Sequence, residues 1–341
     1  MELRSSYAGI QLDSPIVVGA SPLALDVERV QKLAANGAGA IVMPSMFEEQ
    51  ITEAQHLGPN GQSLASSDPT GNSLPRSGPD LDNYNGGTEG YLHSIEKLKA
   101  VVDIPVFASI SCATTGDWMD YAAQIRDAGA DAIELSAYHY EMDPHRFADE
   151  IERELIDRIG QFCSRSPLPV AVKVLPQFTC LANVAYRIAG AGAKSICLFG
   201  QFPALESRAS GHIEFRWRIT SQADFRGTAA GIAQVRGAAH NLTFAASGGI
   251  HDPMDAVAAL QLGAEVVMVT SAIYRHGGTF IRQIHNEIVS TMSEHNWIEL
   301  SELVGSRHSG FDPFPEATRR GEFSSSIAAF PSAPKIREDN E

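Results

Sequence analysis

Residues 243–274 read TFAASGGIHDPMDAVAALQLGAEVVMVTSAIY, and the order of residue types in this stretch decides the fold. Thr243 to Ala246 is a short apolar run suited to a strand buried on both faces. Ser247, Gly248 and Gly249 interrupt it, Pro253 to Leu262 repeats apolar residues at helical spacing, and Gly263 follows as a stop. Val266 to Val269 then reads as a second buried strand, and Ile273 to Ser293 as the helix after it. Strand, helix and strand in this order make one βαβ unit of a parallel sheet.

The same pattern recurs toward the N-terminus. Apolar runs at Pro15 to Ala20, Gly39 to Met43, Val106 to Ile110, Ala132 to Leu135, Val170 to Val174 and Ser195 to Phe199 bring the strands to eight. Helical patterns fall at Asp26 to Asn36, Gly90 to Val101, Tyr121 to Asp127, about Pro144 to Phe162, Leu181 to Ala189 and Ala229 to Ala238. Eight successive units close most economically as an α/β (β/α)8 TIM barrel. A doubly wound open sheet competes, but no GxGxxG turn follows the first strand. The expected organisation is one barrel domain over residues 1–304, with long loops after strand two (45–89) and strand six (200–221). The tail, 305–341, is polar and broken by Pro313, Pro315, Pro331 and Pro334, so it reads as a surface wrap or an unstructured end.

Composition narrows the function. The 341 residues carry 26 Lys and Arg against 41 Asp and Glu, a net charge of −15, with at most two basic residues adjacent. Nucleic acid and anionic membranes are therefore not expected partners. A phosphate ligand remains compatible, because a few local dipoles hold it. Cys112, Cys163, Cys180 and Cys197 form no CxxC pair, so no metal site is expected from them, and reduced thiols in the cytoplasm are the simplest reading. The first twenty residues lack a signal-peptide pattern, and no window of the chain is apolar enough to span a bilayer.

In a barrel of this kind chemistry belongs at the C-terminal ends of the strands. There Ser247, Gly248 and Gly249 after strand seven, with Thr270 and Ser271 after strand eight, would present backbone N–H groups to a phosphate. The plainer alternative is that the glycines only permit the turn. Lys173 stands inside the apolar run AVKVL, where a lysine is costly unless paired or kept for a ligand. It could form a Schiff base, hold a phosphate or stabilise a reduced flavin. His139, in SAYHYEMDPH after strand four, could move a proton near neutral pH or simply be a surface histidine.

SPIVVGASPL, IVMPSMFEEQI, PVAVKVLPQFT, ASGGI and GAEVVMVTSAIYRHG together resemble the dihydroorotate dehydrogenase family, most closely its divergent bacterial dihydroorotate dehydrogenase-like branch. The resemblance spans about residues 1–300. It implies an FMN-dependent oxidoreductase on a (β/α)8 barrel, acting on a CH–CH bond as in the conversion of dihydroorotate to orotate. By position it implies that Ala20, Ser21, Ser45, Ser111 and Ser136 line the flavin and that Lys173 stabilises its reduced ring. Ser247, Gly248, Gly249, Thr270 and Ser271 would hold its phosphate, and His139 falls where the family has its base. The implied partners are a small-molecule substrate, a soluble electron acceptor or partner reductase, and a second copy in a homodimer. Three family asparagines are replaced by Ser111, Ser136 and Gly200, and a family lysine by Pro44, so a substrate other than dihydroorotate is expected. A lapsed flavin- or phosphate-binding barrel with a regulatory role, or a non-redox Schiff-base barrel using Lys173, are the alternatives.

Overall fold

The structure is a computed structural model and describes residues 1–56, 81–136, 141, 143–201, 204–207, 213–216, 218–239, 241–307 and 315–328. In chain order the strands are β1 (Ser5–Tyr7), β2 (Ile10–Leu12), β3 (Ile16–Val18), β4 (Ala40–Phe47), β5 (Val106–Ser111), β6 (Ala132–Ser136), β7 (Val170–Val174), β8 (Ser195–Leu198), β9 (Ala204–Ser207), β10 (Ile213–Arg216), β11 (Thr243–Ser247) and β12 (Val266–Val269). Eight of them close as a barrel in the order β11, β12, β3, β4, β5, β6, β7, β8. Every pairing in it is parallel. The expected (β/α)8 barrel is therefore the architecture observed. Two compact units divide the chain, Met1–His308 and Ser309–Glu341.

Alternation along each strand splits the apolar residues into two sets. Ile16, Val18, Ile41, Ile133 and Val172 point outward and are fully covered, packing with helix residues such as Ile125, Ile159 and Val184. Val17, Val42, Phe107, Ala171, Cys197, Ala245 and Met268 point inward and fill the barrel. Tyr7, Ala8 and Leu12 belong to this inner cluster, because the β1–β2 hairpin plugs the N-terminal end. The Ala8 N–H donates to Ser195 Oγ at 2.6 Å, and the Tyr7 ring stacks on Phe107 with centroids 5.4 Å apart. A small-to-medium interior leaves room for the Tyr7–Phe107 pair at the bottom and for polar side chains above it.

Several expected boundaries are corrected. Strand two does not stop at Met43: β4 runs through Pro44 to Phe47, with a register shift between Val42 and Ser45 that places the N–H-less proline at an irregularity. The loop after it holds a helix, Glu48–His56, hidden by its polar composition but helped by Glu48 and Glu49 in its first turn. Helices at Asp82–Asn85 and Gly87–Lys99 complete the return. The irregular stretch after β8 contains the antiparallel pair β9–β10. The helix expected from Ala229 begins at Phe225, after a one-turn Gln222–Asp224 segment capped by Ser221 and Asp224. The helix expected from Pro144 starts at Ala148. Gly277 and Gly278 split the expected final barrel helix into Ser271–His276 and Thr279–Glu294. The Ser309–Glu341 unit contains the helix Pro315–Ala328. Among the described residues no helix is long and apolar enough to cross a membrane.

Candidate active site

Parallel closure brings the C-terminal strand ends to one rim, and neighbouring pairs fix their levels. Ser111 pairs with Ser136, Ser136 with Lys173, and Lys173 with Cys197, so these inward-facing positions form a continuous arc. Lys173 keeps only 12% of its side chain exposed, and its Nζ donates to Glu134 Oε1 at 2.6 Å. Glu134, two residues before Ser136 on β6, is fully buried. The Tyr7 hydroxyl, rising from the plug, donates to the other carboxylate oxygen at 3.4 Å. Burial, reinforced by the charges of Cys197 and Glu134, pushes the Tyr7 phenol well above its ordinary pKa, so it remains a donor. Burial likewise pushes the neighbouring Cys197 thiol up to about 12, which leaves it a packing group. A buried lysine is thus paired, as its cost requires.

The loop after β11 is held for a different task. Thr228 Oγ1 donates to the carbonyls of Ser247 and Gly248, each at 3.0 Å. With those carbonyls tied, the N–H groups of Gly248, Gly249 and Ile250 find no acceptor among the described residues. Gly248 and Gly249 have φ of 106° and 80°, which a side chain rarely adopts. A Cβ on Gly249 would lie 2.0 Å from Phe225 N, so the loop rests directly on the start of the helix Phe225–Val235. Thr270 and Ser271 begin the short helix on the adjacent strand end. Thr270 Oγ1 would sit 2.7 Å from a Cβ on Gly19, so β3 and β12 approach closely here. Ser271 Oγ is already engaged, accepting from Thr220 N at 3.0 Å. Close by, Thr220 Oγ1 meets His251 Nε2 at 3.0 Å, while the buried His251 Nδ1 has no hydrogen-bond partner among the described residues. Desolvation, then the Arg275 and His276 charges, lowers the His251 pKa. The nest of free amides and small hydroxyl residues has the chemistry of an anion seat.

Across the mouth, Ser45 Oγ and Ser109 Oγ lie 2.9 Å apart. The returning loop fastens this side through Asn85, a fully buried residue whose Nδ2 donates to the Ser45 carbonyl at 2.9 Å. Asn85 and Gln50 also exchange amide hydrogen bonds, both 2.9 Å. Asn85→Ala should lower stability by about 1–3 kcal/mol, because a buried amide and carbonyl lose their partners. Urea unfolding measures this; a loss below about 0.5 kcal/mol, the surface-substitution range, would mean that the loop is fastened elsewhere.

Ala20 and Ser21 follow β3 at the same rim, with Ser21 Oγ donating to Gly19 O at 3.2 Å. Gly200, where the resemblance places an asparagine, donates its N–H to Val174 O at 2.8 Å. Ser111 and Ser136 close β5 and β6. His139 lies outside the described residues. Among the described residues no group of three or more His, Cys, Asp and Glu is placed to hold a metal ion, and the four cysteines are free. Reading the sequence singled out Lys173 but missed Glu134, Tyr7 and Asn85. The signal for Glu134 was present as an acid in the apolar run AIEL.

Fold and site together define a (β/α)8 barrel with a paired lysine and a loop of unengaged backbone amides on its C-terminal rim. No family model matches the chain. The NAD-dependent dihydropyrimidine dehydrogenase subunit PreA of Escherichia coli is 22% identical over 338 residues, covering 93% of this chain and 80% of that protein. The catalytic subunit of dihydroorotate dehydrogenase B (NAD(+)) from Thermoplasma acidophilum is 23% identical over 323 residues, covering 89% and 98%. An isopentenyl-diphosphate delta-isomerase from Xanthobacter autotrophicus is 30% identical over a shorter 172 residues, covering 48% and 50%. Over about nine-tenths of its length, the chain is thus similar at 22–23% identity to proteins of the dihydroorotate dehydrogenase type.

Proposed function

We propose that this protein is a flavin-dependent oxidoreductase that seats FMN on the C-terminal rim and acts on a CH–CH bond of a small reduced ring compound. The observation that carries the reading is the joint placement of the Lys173–Glu134 pair and the free-amide loop at Gly248–Gly249 on one rim. The donor set fits FMN, since a phosphate needs backbone N–H groups and an electron-rich ring needs a fixed cation. Bound FMN supplies hydride acceptance. Gly248, Gly249, Thr270 and Ser271 would hold its phosphate; Ala20, Ser21, Ser45, Ser111 and Ser136 would line its ring; and Lys173 presents positive charge to it. His139, three residues past Ser136, is the proposed base that removes a proton from substrate carbon.

Two of the relatives carry dihydropyrimidine and dihydroorotate in their names, which supports a reduced ring as substrate class. Ser111, Ser136 and Gly200 offer fewer ring-binding amides than that family, so we assign a substrate other than dihydroorotate. Both names also include NAD, which supports a soluble partner reductase as the route of reoxidation. An ammonium held in an ion pair offers no lone pair to a carbonyl, and this weighs against Schiff-base chemistry at Lys173.

Anaerobic mixing of FMN-loaded protein with a panel of dihydropyrimidines and related ring compounds tests the proposal. At least one should bleach the flavin, and His139→Ala should abolish bleaching without releasing FMN. A panel without effect on firmly bound FMN would point to a lapsed binding barrel, and borohydride trapping of a carbonyl compound on Lys173 to the non-redox alternative.

A further inference from the structure

The barrel plug and the rim are joined through one carboxylate. Glu134 is fully buried and divides its two oxygens between Lys173 Nζ at 2.6 Å and the Tyr7 hydroxyl at 3.4 Å. A buried carboxylate is tolerable only when both oxygens are satisfied, and the second partner fixes its rotation about the terminal bond. Tyr7 has little freedom of its own. Its ring lies against Phe107 at an interplanar angle of 10°, the next residue is tied to Ser195 Oγ, and Ser195 Oγ bonds Thr243 Oγ1.

We propose that Tyr7 and Glu134 are positioning residues for Lys173, so that the N-terminal hairpin at the closed end of the barrel sets the place of the cation at its open end. This rests on the proposed flavin role of Lys173, but the geometry stands without it. Tyr7 aims the carboxylate, the carboxylate aims the ammonium, and the rigid plug keeps both from drifting. The hairpin is then part of the functional apparatus, although it lies at the end of the barrel opposite the chemistry.

Two variants keep the charges and change only the geometry: Tyr7→Phe removes the second donor, and Glu134→Asp shortens the arm that holds Lys173. In flavin-free full-length protein, acylation of Lys173 by acetic anhydride is followed by peptide mass spectrometry. Both variants should react about three- to tenfold faster than the natural chain, the factor expected for losing one hydrogen bond. In FMN-loaded protein, sulfite, which adds to the flavin as an anion and is held by nearby positive charge, should bind about tenfold more weakly. Phe107→Leu loosens the stack that holds Tyr7 but leaves its hydroxyl in place, so it should change acylation and sulfite affinity in the same direction as Tyr7→Phe and by less. A natural acylation rate in Tyr7→Phe overturns the positioning role whatever the flavin does. Faster acylation in a chain that binds no FMN retains the positioning role and removes the flavin reading. Faster acylation with unchanged sulfite affinity overturns the link to the flavin.

Discussion

Replacing Glu134 by alanine should lower the free energy of unfolding by about 3–5 kcal/mol, the cost of leaving one member of a buried ion pair uncompensated. The carboxylate is fully buried, and the lysine side chain that holds it is 12% exposed. Lys173→Met should also destabilise, because it strands the carboxylate against Tyr7. The double replacement Glu134→Leu with Lys173→Met removes both charges and should recover most of the loss, since apolar pairs of similar volume can match a buried ion pair. Urea unfolding of the natural chain, Glu134→Leu, Lys173→Met and the double variant gives the coupling directly. Additive single effects would mean that the two side chains do not depend on each other. The double variant separates the two roles of the pair: it should be stable and yet have no cation on the rim.

Gly249→Ala should be the most damaging change in the anion loop. The residue sits at φ 80°, and the added Cβ would lie 2.0 Å from Phe225 N and 2.5 Å from Phe225 Cα, backbone atoms that cannot swing aside. The left-handed conformation alone costs about 1–2 kcal/mol. With the clash, a loss of about 3 kcal/mol or more is expected, together with loss of FMN binding. Gly248→Ala is the internal comparison. Its φ is 106°, but its Cβ would meet only Thr228 Oγ1 at 3.4 Å, so the conformational cost should appear without the collision. Equal unfolding losses in the two variants would show that contact with Phe225 does not hold the loop.

Strands buried on both faces write themselves as apolar runs, which is why β7 and β12 could be read residue by residue and β11 to within one residue. The helix Pro253–Leu262 was equally plain, with Asp252 as its cap and Pro253 at its first position. Elements that bury little were harder. The Glu48–His56 helix covers only Ile51 fully, and the three-residue strands of the β1–β2 hairpin are too short for alternation to show. The site divides in the same way. Lys173 stood out because it interrupted an apolar strand. Glu134 interrupts one too, but a separation of 39 positions hides the pairing, which only the β6–β7 register reveals. Asn85 is legible only from the fold: nothing local says that the end of a polar loop returns to bond the Ser45 carbonyl.

The central claim is that this rim seats FMN. The most direct measurement is the absorption spectrum of the protein purified from cells, with the cofactor released by denaturation and identified by mass. The account predicts a flavin spectrum, one FMN per chain, and much weaker uptake of riboflavin, which lacks the phosphate, by protein stripped of its cofactor. A colourless protein that takes up no FMN, or one that binds riboflavin as tightly as FMN, would contradict it.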